Sequence, residues 1–423
     1  MMGIILSLTA WALGARLDAS GSGQVYLPLT AGGGAPIPTA TLSPTPTRTA
    51  TPQGDLGISG RVTWADAPGQ PVAGAQVAVS VCLPRQPFTT VTGSDGRYNL
   101  TIPALYLNTC AQLTIQVTAE GYTPYSQVVA SAALRAQPVR DVALERSTNL
   151  AQVDDFLYQL QGMDLDAIGE TAYDLVVIDY SRDGSVWEEF SPAEIAALQV
   201  SAGGPKIVLS YLSIGEAEDY RFYWQSGWRP GNPAWLDEEN PDWAGNYKVH
   251  YWDPTWQAII YGYLDRIVAA GFDGAYLDLV DAYAYYEEQG RATAAQEMAD
   301  FVAAIAARAR QSNPDFIIVA QNAPELATLT TGYLDALDGI GQEDLYYGYA
   351  GDDVPTPAGI TALWESQLNV FRQAGKVVFT IDYATQIEFI DDAYSRSQAR
   401  GYVPFCTVRA LDQLIINPGH EPD

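Results

Sequence analysis

Between residue 149 and the C-terminus, short apolar runs alternate with segments of helical pattern, and this alternation constrains the fold more than any other feature of the chain. Eight strands with intervening helices over about 270 residues predict an α/β fold, a (β/α)8 TIM barrel. A doubly wound open sheet is the alternative, but no GxGxxG follows any run, so a dinucleotide-binding fold has no support. The candidate strands are LVVIDY (175–180), KIVLSYLS (206–213), YKVHYWD (247–253), GAYLDLV (274–280), FIIVAQN (316–322), GIGQEDL (339–345), KVVFTIDY (376–383) and GYVPFCTV (401–408).

Residues ahead of the barrel pattern divide into three segments. We expect a signal peptide over 1–20, because its apolar run is too short to span a bilayer comfortably and has the length of a signal-peptide core. The usual basic start is missing, so an uncleaved anchor is the alternative. A Pro/Thr-rich stretch over 21–55 cannot bury enough surface to fold and predicts a disordered linker. Residues 56–147 are expected to form a β-sandwich accessory domain and residues 148–423 the catalytic barrel.

The 56–147 segment alternates apolar and polar residues between Gly, Pro and Asp turns, which is typical of a small antiparallel β-sandwich. The phrases PVAGAQVAV, TGSDGRYNLTIP and VTAEGYTPYS resemble the carboxypeptidase regulatory-like domain, which implies an accessory or spacer module. Cys82 and Cys110 both fall in this segment. They are expected to be either a disulfide, if the protein is exported, or two buried thiols.

The formal net charge of −28 argues against a nucleic-acid partner, because phosphate binding needs clustered Lys and Arg. An acidic surface attracts a cationic ligand, although the same charge also keeps a secreted protein soluble. No Cys/His zinc cluster or ordered Ca²⁺-binding loop is present in the sequence, and no cofactor is expected.

Polar residues cluster at the ends of the candidate strands, where a barrel of this type carries its catalytic groups. Two carboxylates at such a mouth can cleave an acetal, one protonating the leaving oxygen while the other acts as nucleophile or activates water. A Ser-His-Asp triad is excluded, because His250 and His420 are the only histidines and His420 lies in the tail. Asp278 lies near the end of the candidate strand GAYLDLV, and Asp281 is expected on the following loop as a positioning or capping residue.

The phrases YLSIGEAEDYRFYW and YKVHYWDPTWQAIIYGYLDRIVAAGFDGAYLDLVDAY resemble glycoside hydrolase family 114, the endo-α-1,4-polygalactosaminidase family. The resemblance covers roughly residues 151–408 and implies a (β/α)8 barrel that hydrolyses α-1,4-linked galactosamine polymers. It also implies an acidic residue ending the fourth strand and a Glu ending the sixth. These map to Asp278, as nucleophile or base, and Glu343, as proton donor; Asp344, one residue on, is the alternative acid.

The remaining polar residues at the expected mouth are candidates for substrate binding. Two of them, Asp179 and Asp382, could pair with the ammonium of a deacetylated amino sugar. Lys248 could keep a carboxylate ionised by lowering its pKa. The full set is Asp179, Tyr211, Lys248, Tyr251, Asn322, Asp382 and Tyr383.

The sequence therefore predicts a secreted or cell-surface glycosidase that acts on a cationic amino-sugar polysaccharide, with tethering through the N-terminus as an option. Two alternatives stay open at this level. One is a glycosidase of the same fold with a different glycan substrate. The other is a non-catalytic surface protein that binds glycan.

Overall fold

The computed structural model describes residues 54–423 except residues 66, 68, 84 and 85. The predicted signal peptide or anchor (1–20) and almost all of the predicted linker (21–55) lie outside the described residues. Among the residues that are described, no helix is both long and apolar enough to cross a bilayer.

The N-terminal segment is a sandwich of two β-sheets around its own apolar core. All neighbouring strands are antiparallel except the first and last, which pair in parallel with Val62 opposite Val142. Cys82 and Cys110 form a disulfide, so the alternative of two buried thiols is wrong. The strands are Leu56–Trp64, Gln76–Ser80, Phe88–Val91, Arg97–Ile102, Gln112–Thr118, Tyr125–Ala130 and Val142–Leu144, with helices at Ala104–Thr109 and Ser131–Ala136.

The rest of the chain is a TIM barrel, as predicted. Eight strands form one parallel sheet in chain order, and the eighth strand returns beside the first. The amide of Leu160, just after the first strand, donates to the carbonyl of Leu411, beyond the eighth. The barrel strands, first to eighth, are Phe156–Tyr158, Leu175–Ile178, Ile207–Ser213, Gly274–Asp278, Ile317–Gln321, Gly339–Glu343, Val377–Asp382 and Val403–Cys406.

Helices cover the outside of the barrel and bury their apolar sides against the strands. Ser191 caps one of them: its side chain accepts from the amide of Glu194, whose carboxylate in turn accepts from the Ser191 amide. The helices are Leu165–Gly169, Pro192–Gln199, Pro254–Ala269, Tyr283–Glu288, Ala294–Ser312, Leu326–Leu329, Tyr333–Ala336, Ala358–Gln373 and Ile387–Ala399, with 3₁₀ turns at Leu150–Gln152 and Val280–Ala282.

One predicted barrel strand is wrong, and one was missed. Only the first three residues of YKVHYWD are in a strand, Asn246–Val249, and that strand belongs to a separate antiparallel sheet. Its alternating polar pattern is typical of an antiparallel strand, whereas barrel strands are buried on both faces and read as continuous apolar runs. The missed strand, Phe156–Tyr158, is three residues long, too short to show a period. The two errors cancel in the count, so Asp278 still ends the fourth strand and Glu343 the sixth.

Three small sheets complete the part of the chain that the structure describes. The one that matters for the site, called here the mouth sheet, is antiparallel and consists of Glu216–Glu218, Leu236–Glu239 and Asn246–Val249. It follows directly from the third barrel strand and therefore stands at the carboxyl end of the barrel. The other two are the pairs Val200–Ser201 with Gly204–Pro205, and Tyr347–Gly348 with Gly351–Pro355.

Candidate active site

A cleft of about 730 Å³ opens at the carboxyl ends of the barrel strands, where TIM-barrel enzymes carry their active sites. Asp278 ends the fourth strand, Asn322 follows the fifth and Glu343 ends the sixth, and all three line the cleft. Tyr211 of the third strand and Tyr383 after the seventh line it too. The barrel therefore brings together two carboxylates, an amide and two phenols from five consecutive strands.

Asp278 is held by one hydrogen bond at each carboxylate oxygen. The hydroxyl of Tyr211 donates to Oδ2 at 2.9 Å, and the amide of Leu279 donates to Oδ1 at 2.7 Å. Burial raises the pKa of Asp278 well above its usual range, the charges of Glu343 and Asp281 raise it further, and the two hydrogen bonds oppose the shift. The environment thus couples the ionisation of Asp278 to that of Glu343.

Glu343 is also held at both carboxylate oxygens. The hydroxyl of Tyr383 donates to Oε1, and the side-chain amide of Asn322 donates to Oε2 at 3.2 Å. The neighbouring Asp344 does not line the cleft, because its carboxylate pairs with Arg409 at 3.0 Å. Of the two acids considered for the proton donor, Glu343 is the one that faces the cleft.

The backbone turns sharply where the polar residues emerge. Leu279, Asn322 and Asp344 all adopt left-handed conformations, with φ of 58°, 58° and 56°, at the ends of the fourth, fifth and sixth strands. Non-glycine residues in this region are strained, and such residues cluster at functional sites. Gly215 packs against the first of these turns: a Cβ there would lie 2.1 Å from the carbonyl oxygen of Leu279.

Asp179 lines the cleft, but its charge is already compensated. Arg221, which is almost fully buried, donates to Asp179 at 2.7 Å and to Glu218 at 2.6 Å. Burial is the main cause of a raised pKa at Asp179, and Arg221 opposes that rise. The guanidinium also lies 5.8 Å from the ring centroid of Tyr211. Arg221 thus fixes one wall of the cleft, including the phenol that binds Asp278.

Three of the predicted substrate-binding residues do not line the cleft. Lys248 points its ammonium to the ring of Tyr285, 4.9 Å from the centroid. Tyr251 is fully buried and donates to the carbonyl of Ala294 at 2.8 Å. Asp382 is also buried and accepts from the backbone amides that follow the sixth strand, at 2.6 and 2.8 Å. The structure therefore does not bring these three together with the carboxylate pair.

Four acidic residues that the sequence did not select as site residues also line the cleft, namely Asp183, Glu216, Glu218 and Asp281. Burial raises the pKa of Glu216 to about 7. Its Oε1 accepts from the side-chain amide of Asn240 at 2.9 Å, and its Oε2 has no hydrogen-bond partner among the described residues. Desolvation, followed by the charge of Glu343, raises the pKa of Asp281 to about 6. Glu216 lies three residues after the end of the third barrel strand, within SIGEAEDYR, and this position is the sequence feature that could have identified it.

Within the described part of the chain, no three His, Cys, Asp or Glu side chains are grouped so that they could hold a metal ion. What the cleft offers is paired carboxyl groups with phenol, amide and guanidinium groups around them. This set suits proton transfer and nucleophilic attack at an acetal carbon.

Comparisons with known proteins agree with this chemistry. The sequence profile of glycoside hydrolase family GH114 matches residues 139–421, and that of the carboxypeptidase regulatory-like domain matches residues 57–145. Both resemblances drawn from the sequence are thus confirmed.

Individual relatives cover the barrel. A protein of Deinococcus radiodurans is 44% identical over 254 residues, which are 60% of this chain and 79% of the relative. A protein of Thermotoga maritima is 36% identical over 282 residues, or 64% of this chain and 85% of the relative. Among solved structures, the glycoside hydrolase domain of PelA from Pseudomonas aeruginosa matches with a TM-score of 0.50 at 20% identity, over 63% of this chain and 98% of that domain. At this level of identity, the match to the PelA domain shows a common fold.

Proposed function

The chain belongs to glycoside hydrolase family GH114, and from this premise we propose that it cleaves an α-1,4-linked galactosamine-containing polysaccharide by a two-carboxylate mechanism. The observation that carries the proposal is the pairing of Asp278 and Glu343 in one cleft, each held by two hydrogen-bond donors. Such fixed geometry is what acid and base catalysis requires.

We assign Asp278 as nucleophile or base and Glu343 as proton donor. The charge of Glu343 raises the pKa of Asp278, so a proton on Glu343 favours ionisation of Asp278. In that state Tyr211 and the Leu279 amide stabilise the carboxylate of Asp278. Glu343 then donates its proton to the glycosidic oxygen as the bond to the anomeric carbon breaks, and Asp278 attacks that carbon directly or through water.

The charge of the cleft supports an amino-sugar substrate. Seven acidic side chains line it against three arginines among the described residues. An amine of a deacetylated sugar is protonated at neutral pH. The excess of negative charge in the cleft therefore attracts such a polysaccharide electrostatically. The ammonium partners predicted from sequence, Asp179 and Asp382, are already hydrogen-bonded by protein donors. Glu216, with one unpartnered oxygen, is a better candidate.

The first test is product release from a panel of purified polysaccharides by the full chain. The panel contains deacetylated and acetylated galactosaminogalactan, with chitosan and a neutral galactan as controls. We expect short oligosaccharides from the deacetylated galactosamine polymer only, and none with Glu343→Gln. Cleavage of the neutral galactan instead would support the same-fold glycosidase with another substrate. Retention of polymer without cleavage would support a glycan-binding protein.

A second test separates the roles of the two carboxyl groups. An aryl glycoside with a good leaving group needs no proton donor, so Glu343→Gln should retain most of its activity on it while Asp278→Asn should not. The reverse pattern would exchange the two assignments. Full activity of Asp278→Asn on polymer would refute the site altogether.

We further propose that the protein is exported and works outside the cell, with the N-terminal linker and the sandwich acting as a spacer. The Pro/Thr-rich composition of 21–55 and the sandwich disulfide support this proposal, since disulfides persist in oxidising compartments. Fractionation of cells that express the full chain tests it, with appearance only in the cytosol as the contrary result.

A further inference from the structure

A half-exposed tryptophan, Trp243, lines the cleft at the mouth sheet, away from the paired carboxyl groups. Its exposed fraction is 52%, and its ring belongs to neither of the two apolar cores. Leaving a large apolar ring in water costs free energy that burial would recover. The packing of the described residues therefore gives no reason for a tryptophan at this position.

The loop that carries Trp243 is held in place at both ends. The amide of Asn246 donates to the carbonyl of Trp243 at 3.1 Å, and the amide of Asn240 donates to the carbonyl of Asn246 at 2.7 Å. The amide of Gly245 donates to Glu239 at 2.8 Å. These bonds tie the loop to two strands of the mouth sheet, so the exposed ring is presented from a rigid base.

Groups of the kind that bind sugars line the same cleft as this ring. Tyr220 is 49% exposed, and its hydroxyl donates to Glu218 at 2.6 Å, which fixes the orientation of the phenol. Asn240 and Glu216 supply an amide and a carboxylate along the same lining. Flat apolar faces beside fixed polar groups are the combination that recognises a carbohydrate ring.

The Trp243 loop and the reaction centre are built from different elements of the fold. The mouth sheet leaves the barrel at Glu216 and reaches Glu218, which pairs with Asn246 at the base of the Trp243 loop. The carboxylates of Asp278 and Glu343 accept their hydrogen bonds instead from residues at the ends of barrel strands, namely Tyr211, Leu279, Asn322 and Tyr383. The cleft thus carries an exposed aromatic ring on a wall other than the one that holds the paired carboxyl groups.

We propose that Trp243 is a stacking platform for an outer sugar residue of the bound polysaccharide, with Tyr220 as the second aromatic contact. This inference rests on the proposed function, since it needs a polymeric glycan in the cleft. It predicts that affinity increases with the length of the oligosaccharide until the chain reaches Trp243, and that the increase depends on the ring.

The test is calorimetric titration of the full chain carrying Glu343→Gln, which keeps the ligand intact, with short and long galactosamine oligomers. Adding Trp243→Ala should weaken binding of the long oligomers roughly 5- to 20-fold and leave the short ones unchanged. Trp243→Phe should retain most of the affinity, because it keeps an aromatic face. The matched control is Trp187→Ala, since Trp187 is 88% exposed but does not line the cleft.

The outcomes separate this inference from the function on which it rests. Length-dependent affinity that survives Trp243→Ala, or that falls equally with Trp187→Ala, would overturn the platform and leave the substrate intact. Absence of binding at every length by the Glu343→Gln parent would overturn the proposed substrate, and the platform with it. Thermal unfolding of each variant verifies that a lost affinity is not lost folding.

Discussion

Replacing Tyr211 by phenylalanine should shift the pH dependence of catalysis. The Tyr211 hydroxyl donates to Oδ2 of Asp278 at 2.9 Å, and this bond lowers a pKa that burial and the neighbouring carboxylates raise. A hydrogen bond to a charged group contributes about 1.5–3 kcal/mol. At 1.36 kcal/mol per pKa unit, its loss raises the pKa of Asp278 by roughly 1–2 units.

The sign of the effect follows from the ionised role proposed for Asp278. Below its pKa the carboxylate is protonated and inactive, so a higher pKa moves the acidic limb of kcat/KM to higher pH by the same roughly 1–2 units. At a fixed pH on that limb, activity should fall roughly 10- to 100-fold. Well above the limb, the loss should be smaller, because Asp278 is ionised in both proteins.

The assay is kcat/KM against pH for the wild type, Tyr211→Phe and a control, Tyr263→Phe. Tyr263 is equally buried, but its hydroxyl has no hydrogen-bond partner among the described residues, so its removal should leave the acidic limb where it is. An unmoved limb in Tyr211→Phe would refute the reasoning. So would an equal shift in both variants, because the effect would then come from packing and not from the hydrogen bond.

Two further predictions concern charges around the site. Asp281→Asn removes a negative charge that raises the pKa of Asp278, so the acidic limb of kcat/KM should move to lower pH, opposite in sign to Tyr211→Phe; a shift upward would contradict the electrostatic account. Arg221→Met leaves two buried carboxylates uncompensated and should lower the free energy of unfolding by about 3–5 kcal/mol in urea titrations. The control is Arg182→Met, because Arg182 is half-exposed and its pair with Glu194 lies on the surface; its free energy of unfolding should fall by less than about 1 kcal/mol. Equal losses of stability in the two variants would argue against a special role for burial.

The sequence predicted those parts of the fold that depend on long, regular patterns. Seven of the eight barrel strands were predicted, most of them as apolar runs, because parallel strands are buried on both faces and carry few polar residues. Phe156–Tyr158 was missed because three residues show no period. The stretch around Lys248 was taken for a barrel strand because it is a strand that is followed closely by a helical segment. Local pattern identifies a strand but does not say which sheet it joins.

The candidate site shows the same division. Asp278 ends the fourth strand and Glu343 the sixth strand of one barrel. This placement follows from the order of the strands and was predictable from the sequence alone. The sequence does not determine which of two adjacent polar residues lines the cleft. Glu343 lines it but Asp344 does not, and Tyr383 lines it but Asp382 does not. The direction of each depends on sharp turns and partners such as Arg409, which lies 65 residues from Asp344 in the chain.

Only the tertiary structure decided which carboxylates of the cleft are already paired with protein groups and which are not. Composition established an acidic protein and the resemblance a pair of carboxylates, but not that Arg221 compensates Asp179 while one oxygen of Glu216 stays unpartnered. Those facts depend on distances between side chains remote in sequence, and on burial, which sets the energy of a charge far more than its residue type does. For the same reason Trp243 became a candidate only once its loop was seen to close onto the mouth sheet.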